Sequence, residues 1–237
     1  MTVRLDSLLI GRISPLGARG VSSGIDKRPV DCPLRLAREG FEGDAQGDRK
    51  HHGGPEKAAH HYPFEHYDAW RREIGERPLL AGPGAFGENL STEGLTEDQV
   101  AVGDVFRLGS ATLEVSQGRQ PCWKLNVRFG VDEMSRRVQT SGRTGWYYRV
   151  IEEGLVAPGD TLTLIHRAAP EWTLTRLWQV LYVSALDRAE LAAMAALPQL
   201  AESWRRLAER RLESRKVEDW TRRLSGEAGK AASAQTP

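Results

Sequence analysis

Cysteine is scarce in this chain: its 237 residues contain two, Cys32 and Cys122. Two thiols make no disulfide framework, and they cannot hold a four-thiolate iron–sulfur cluster. An excess of charge is lacking too. Thirty-three basic residues face thirty-two acidic ones, a formal net charge of +1, which argues against a nucleic-acid-binding surface and against a polybasic membrane patch. No apolar run of about 18 residues, the length of a membrane-spanning helix, occurs, and the opening MTVRLDSLLIGRIS has no secretion-signal core. The expectation is a cytoplasmic protein in a reducing compartment, with neither membrane nor nucleic acid as partner.

What is present suffices for a core, since 40% of the residues are hydrophobic. Residues 1–168 read as a β-rich domain. Short runs of β-branched and aromatic residues at Val3–Ile13, Val100–Phe106, Thr112–Val115 and Thr161–Ile165 are punctuated by glycine and proline. Gly103-Asp104 and Gly159-Asp160 are turn signals directly before such runs. Pro63–Ile74 is the exception, with Phe64, Tyr67, Trp70 and Ile74 at helical spacing. This pattern suits a twisted barrel or sandwich better than alternating strands and helices. Residues 169–225 read as helical. Thr173–Tyr182 makes one helix, Ser184 with Asp187 has capping-box spacing for a second reaching about Leu197, and Pro198 opens a third with Leu200, Trp204, Leu207 and Leu212 along one stripe. Val217, Trp220 and Leu224 suggest a last helical piece, and 226–237 is expected to be a disordered tail.

Three polar, glycine-rich clusters are candidates for chemistry. Gly47–Pro63 gathers Arg49, Lys50, His51, His52, Lys57, His60 and His61 around a Gly53-Gly54-Pro55 turn. Glycines let backbone approach a ligand, and the cations favour an anion. Zinc is a rival reading, although the histidine spacing matches no standard zinc pattern. Gly84–Leu95 places Glu88 and Asn89 in a tight loop. Ser116–Gly130 sets Cys122 between Pro121 and Trp123, with Arg119, Lys124 and Arg128 nearby. Positive neighbours favour the thiolate, the form that attacks electrophiles or binds metals. Downstream, Arg143 precedes the consecutive aromatics Trp146, Tyr147 and Tyr148, which suit either a flat heterocycle's pocket or the core.

Taken together, five runs resemble the MOSC family and, within it, the YiiM-type subgroup. They are EGDAQGDRKHHGGPEKA (42–58), YPFEHYDAW (62–70), GAFGENLSTEGLTEDQVAVGDVF (84–106), QGRQPCWKLNVRFG (117–130) and SGRTGWYYRVIEEG (141–154). The resemblance implies a mainly β, barrel-like MOSC domain with a few helices, followed by a small all-α, three-helix domain. It also implies a bound molybdenum cofactor (molybdenum with molybdopterin) and Cys122, in its Pro-Cys-Trp context, as protein ligand to the metal. A soft thiolate suits molybdenum beside the pterin's dithiolene. Further candidates for holding the cofactor are His52, Gly53, Gly54, Lys57, Asn89, Gln117, Arg119, Arg143, Thr144, Gly145 and Trp146. His51, His60 and Glu88 are candidates for relaying protons.

The implied reaction is reduction of N-hydroxylated compounds, such as hydroxylaminopurines, to amines, with electrons from a separate reductase. Alternatives are a cofactor carrier without turnover, sulfur transfer on Cys122, and a zinc hydrolase. Two positions depart from the expected pattern. Gly118 stands where the family often has proline, and Cys32 lies where an ordinary apolar residue is expected. Oligomeric state is left open.

Overall fold

The computed structural model describes residues 1–18, 20–45 and 53–226. Among them the strands are β1 (Thr2–Arg4), β2 (Ser7–Ile10), β3 (Ser14–Leu16), β4 (Val21–Ser23), β5 (Arg28–Pro29), β6 (Leu34–Ala37), β7 (Gly40–Phe41), β8 (Ala59–His61), β9 (Leu90–Ser91), β10 (Val105–Leu108), β11 (Ala111–Gly118), β12 (Trp146–Glu152), β13 (Gly154–Val156) and β14 (Thr161–His166). The helices are α1 (His66–Ile74), α2 (Lys124–Phe129), α3 (Met134–Ser141), α4 (Leu174–Tyr182), α5 (Arg188–Ala195), α6 (Glu202–Ser214) and α7 (Thr221–Ser225).

Nine strands curl into one mixed half-barrel sheet in the order β1-β14-β10-β11-β12-β8-β9-β2-β5. Its neighbours run antiparallel except β8 and β9, which pair in parallel at His61 and Leu90. The mainly β fold class with a small carboxy-terminal helical region stands. Two aspartates close equivalent turns. Asp104 accepts from the Ala101 N–H at 2.8 Å and Asp160 from the Ala157 N–H at 2.7 Å, each carboxylate reaching back three residues to satisfy a turn donor. Those turns shorten the expected strand at 100–106 to β10, because Val102-Gly103 is consumed in the turn.

The remaining departures are also local. β1 and β2 divide the expected Val3–Ile13 run. Asp187, not Ser184, caps α5, accepting from Ala189 and Glu190 N–H. Residues 198–201 are not helical, and α6 starts at Glu202 because the Ala201 N–H is taken by the Ser116 carbonyl of β11 at 2.9 Å.

Leu174, Leu177 and Leu181 of α4, Leu191 of α5, and Trp204 and Leu207 of α6 share one buried cluster with Phe106, Leu113, Val115 and Tyr148 of the sheet. The helical region is thus packed onto the sheet rather than tethered beside it. Gly118 is one point of close approach: a Cβ there would lie 3.2 Å from the Trp204 ring, so the α6 indole presses on β11 at this glycine. A second cluster, with Tyr62, Tyr67, Trp70, Phe86, Leu125, Phe129 and Val138, joins α1, α2 and α3. The candidate cleft lies where β8, β12 and the end of β11 meet this second cluster.

Candidate functional site

Strand geometry decides which histidines can face a ligand. Adjacent residues on a strand point to opposite sides. On β8, His60 lines the cleft while His61 turns into the sheet, where its ring nitrogens sit 3.1 Å from the Tyr148 hydroxyl and 2.9 Å from the Thr92 hydroxyl. The same alternation divides the aromatic run on β12: Tyr147 lines the cleft, whereas Trp146 and Tyr148 are core. The run is therefore divided between the cleft and the core.

The cleft has about 80 Å³ of interior volume and an open mouth. Its polar walls carry Cys122, Lys27, Lys57, Arg119, Lys124, His60 and Asn89, and Phe86 and Tyr147 supply apolar surface. Neither cysteine forms a disulfide; Cys122 is 8% exposed at the cleft and Cys32 is on the surface. Arg119 follows the last residue of β11, and its N–H is fixed by the Gly145 carbonyl at 3.0 Å. Gly145 has φ +68°, and a Cβ there would strike the His61 carbonyl at 2.3 Å and crowd the His60 ring at 3.0 Å. Only glycine fits.

Among the described residues, two buried atoms of cleft-lining side chains have no hydrogen-bond partner: Arg119 Nη1 and His60 Nε2. A buried, unsatisfied donor on a cation is costly to leave so, and an anionic group in the cleft would satisfy it. His60 is held well below the usual imidazole range, first by burial and then by the Arg119 charge, with the Gly87 backbone partly opposing. It is therefore neutral at physiological pH. Lys27, with its pKa lowered by burial against the opposing pull of Asp44, forms a buried ion pair with that aspartate. Asp44 also accepts from Gly11 N–H at 2.8 Å and Asn89 Nδ2 at 2.9 Å. The donor set — a thiol, several cations and an acceptor imidazole nitrogen — fits a metal-bearing, phosphorylated ring system.

Several sequence candidates lie elsewhere. Glu88 is fully buried, accepting from Gly84 N–H at 2.6 Å, Phe86 N–H at 3.0 Å and the Tyr67 hydroxyl, so its oxygens serve the glycine loop. Asn89 reaches the cleft but chiefly ties strands together, accepting from His60 N–H at 3.1 Å and donating to the Leu9 carbonyl at 3.1 Å. Arg143 is not brought to the cleft: its guanidinium lies 3.9 Å over the Trp70 ring and pairs with Glu73. Gln117, Thr144 and Trp146 are buried beside the site without lining it, and Gly53 and Gly54 lead into the turn at Pro55–Lys57 that carries Lys57. His51 and His52 lie outside the described residues. Among the described residues no group of three His, Cys, Asp or Glu is placed to hold a metal ion.

Sequence reasoning missed Lys27 as a cleft residue and Asp44 as its ion-pair partner, and it did not separate Tyr147 from its two neighbours. Nothing local marks Lys27 and Asp44 as partners; the visible signal for Tyr147 was its alternation with two core aromatics.

His61, packed without a counter-charge, has its pKa lowered to about 3 by burial. Above about pH 6.5, the ordinary imidazole value, it is neutral whether folded or not. As the pH falls from there toward 3, the unfolded chain takes up a proton that the folded chain refuses, and stability drops. Each such histidine removes about 2 kcal/mol between pH 7 and pH 5. Urea unfolding of His61→Asn is expected to show a pH dependence flatter by that amount over this interval. An unchanged slope would show that His61 is protonated in the fold.

The fold and the cleft together define a β-rich binding protein with one thiol in a cationic, partly aromatic cavity. Residues 48–163 match the MOSC domain family, and residues 172–215 match the YiiM-like, 3-alpha helix domain. Protein YiiM of Escherichia coli (strain K12) is 42% identical over 87% of this chain and 92% of its own length. The crystal structure of YiiM from Geobacillus stearothermophilus superposes with a TM-score of 0.76 at 32% identity, covering 89% of this chain and 99% of that one. A protein of Gibberella moniliformis (strain M3125 / FGSC 7600) named "Reductase" is 37% identical over 86% of this chain but 36% of its own length. The chain belongs to the MOSC family, in its YiiM-like branch, and MOSC domains are associated with the molybdenum cofactor. No helix among the described residues is long and apolar enough to cross a membrane.

Proposed function

We propose that this chain is a molybdenum-cofactor-dependent reductase of N-hydroxylated compounds, hydroxylaminopurines among them, with Cys122 as protein ligand to the metal. One observation carries the reading: the chain's buried thiol shares a cleft with Arg119, whose Nη1 has no partner among the described residues, and with the neutral, acceptor-bearing His60 ring. The cofactor supplies two-electron oxygen-atom-transfer chemistry when bound.

The protein's own residues do the rest. Cys122 Sγ is the soft donor. Arg119 offers an unspent N–H to a phosphate, and Lys57 and Lys124 add positive charge along the same wall. His60 and Tyr147 lie with ring centroids 4.9 Å apart at 33°, a surface against which a planar heterocycle can pack. His60 Nε2, kept unprotonated, accepts a hydrogen bond and so can orient an N–H or O–H of the substrate. Phe86 adds apolar surface to the same cleft. Electrons come from a separate reductase, since two cysteines in the whole chain leave no thiolate set for a cluster. A relative named "Reductase" supports the direction of the chemistry.

Protein purified from a host that makes the cofactor is expected to contain molybdenum and pterin in near-equal amounts. It should convert a hydroxylaminopurine to its amine when given a chemically reduced electron donor. Pterin without turnover for any donor would reduce the protein to a carrier. Protein lacking molybdenum altogether would overturn the reading.

A further inference from the structure

The short carboxy-terminal segment after the three-helix region closes on the turn that carries Cys122. Arg223, in α7, touches both neighbours of the cysteine. Its Nη1 donates to the Pro121 carbonyl at 2.6 Å, and its own carbonyl accepts from the Trp123 N–H at 2.8 Å. The guanidinium is itself aimed, because Nη2 donates to Gln139 Oε1 at 2.6 Å while the Gln139 backbone carbonyl holds Trp178 Nε1 at 2.6 Å. The next residue repeats the pattern. The Leu224 carbonyl accepts from Asn126 Nδ2 at 2.9 Å and from Ser135 Oγ at 2.8 Å, pinning α2 and α3 at the end of the same turn.

The segment is anchored in turn to the helical region. Arg211 of α6, nearly fully buried, donates to Glu218 at 2.8 and 2.9 Å, Glu218 accepts from Trp220 Nε1 at 2.8 Å, and the Trp220 ring meets Tyr182 edge-on at 5.4 Å. Tyr182 reaches the turn from its other side, accepting from Gln120 Nε2 at 3.2 Å. Positions 120, 121 and 123 are thus all held by residues from 182 and 223, adding to the local bond from Leu125 N–H to the Cys122 carbonyl at 3.0 Å.

We infer that Arg223 is a positioning residue for Cys122: the carboxy-terminal strap fixes the thiol-bearing turn at the cleft, and the helical region exists in part to anchor that strap. A turn held at the residues before and after the donor atom presents its sulfur in one direction, as pre-organised ligand sites require. The benefit to a metal rests on the reading of Cys122 as its ligand; the clamp itself does not.

The test uses full-length protein carrying Cys32→Ser, from a host that cannot make the cofactor, so that only Cys122 reacts with iodoacetamide. Cys122 is 8% exposed, so its alkylation in native buffer reports local opening of the turn. Arg223→Met should raise the rate about tenfold, the effect of losing charge-assisted hydrogen bonds at one local site. Arg223→Lys should reverse only part of that rise, since an ammonium keeps the charge but lacks the fork that serves both Pro121 and Gln139. Arg176→Met breaks an ion pair with Glu190 in the same helical region but away from the turn, and should leave the rate unchanged. Should Arg223→Met fail to fold, Gln139→Met removes only the guanidinium's anchor and should give a smaller rise of the same sign. Rates for both the Arg223 and Gln139 variants within twofold of the parent would overturn the inference. So would equal rises in the Arg176 and Arg223 variants, which would mark a general softening. Alkylation of cofactor-free protein is independent of turnover, so this inference and the proposed activity can fail separately.

Discussion

Cys122→Ala, purified from a cofactor-producing host, is expected to lose reduction of hydroxylamino substrates and to retain molybdenum at least about 100-fold more weakly than the parent, more than the loss commonly seen for residues that only support a ligand. The side chain is 8% exposed and small, so the change removes one sulfur and little packing; stability should fall by no more than about 1 kcal/mol. That separation gives the experiment its force, since Arg119, Lys57 and Lys124 would remain to hold a pterin phosphate while the metal loses its proposed protein donor. Cys122→Ser should sit close to the alanine variant, because a hard, neutral hydroxyl is a poor substitute for a thiolate on a soft-liganded metal. Metal analysis and turnover are read on the same preparations. A Cys122→Ala protein that keeps full metal content and normal turnover would remove the basis for assigning the ligand.

Glu88→Ala is expected to cause the largest loss of stability of any single change in the site, about 3–5 kcal/mol, read from denaturant midpoints at pH 7. Alanine strands the N–H groups of Gly84 and Phe86 and the Tyr67 hydroxyl in a fully buried position, and each unmet donor costs desolvation without return. The damage should spread into the cleft, since Phe86 and Gly87 line it and Asn89 holds the His60 backbone. Glu88→Gln keeps the shape but turns an N–H₂ group toward other donors, so it should rescue only part of the loss. If Glu88→Ala were as stable as the parent yet inactive, the residue would be a proton carrier after all and not a tie for the glycine loop.

Much of the architecture was legible in the residues because its causes are local. The Gly-Asp turns at 103–104 and 159–160 need only a backbone with positive φ and a carboxylate able to reach back three residues. The helix at 66–74 follows from apolar spacing, and the alternation of Trp146, Tyr147 and Tyr148 follows from the two-residue period of a strand. Helix starts were less legible. Residues 198–201 read as a first turn after Pro198, yet the Ala201 N–H is claimed by a strand that ended its own course more than eighty residues earlier. Arg143 illustrates the same limit for function: beside glycine and aromatics it looks like an anion-binding residue, but Trp70 and Glu73, brought in by α1, take its charge.

By itself, then, the amino-acid order determined the fold class, the set of cations close to Cys122 in sequence, and the loops that could face a ligand, since these depend on residue type, period and turn chemistry. Tertiary structure alone decided that Lys27 pairs with Asp44, that His60 faces the cleft while His61 is sealed in the core, that Glu88 is consumed by backbone donors, and that Arg223 brackets Cys122. The reason is physical. Whether a charged or polar group is spent or available depends on which distant groups share its buried surroundings, and burial is a property of the folded whole, not of any stretch of chain.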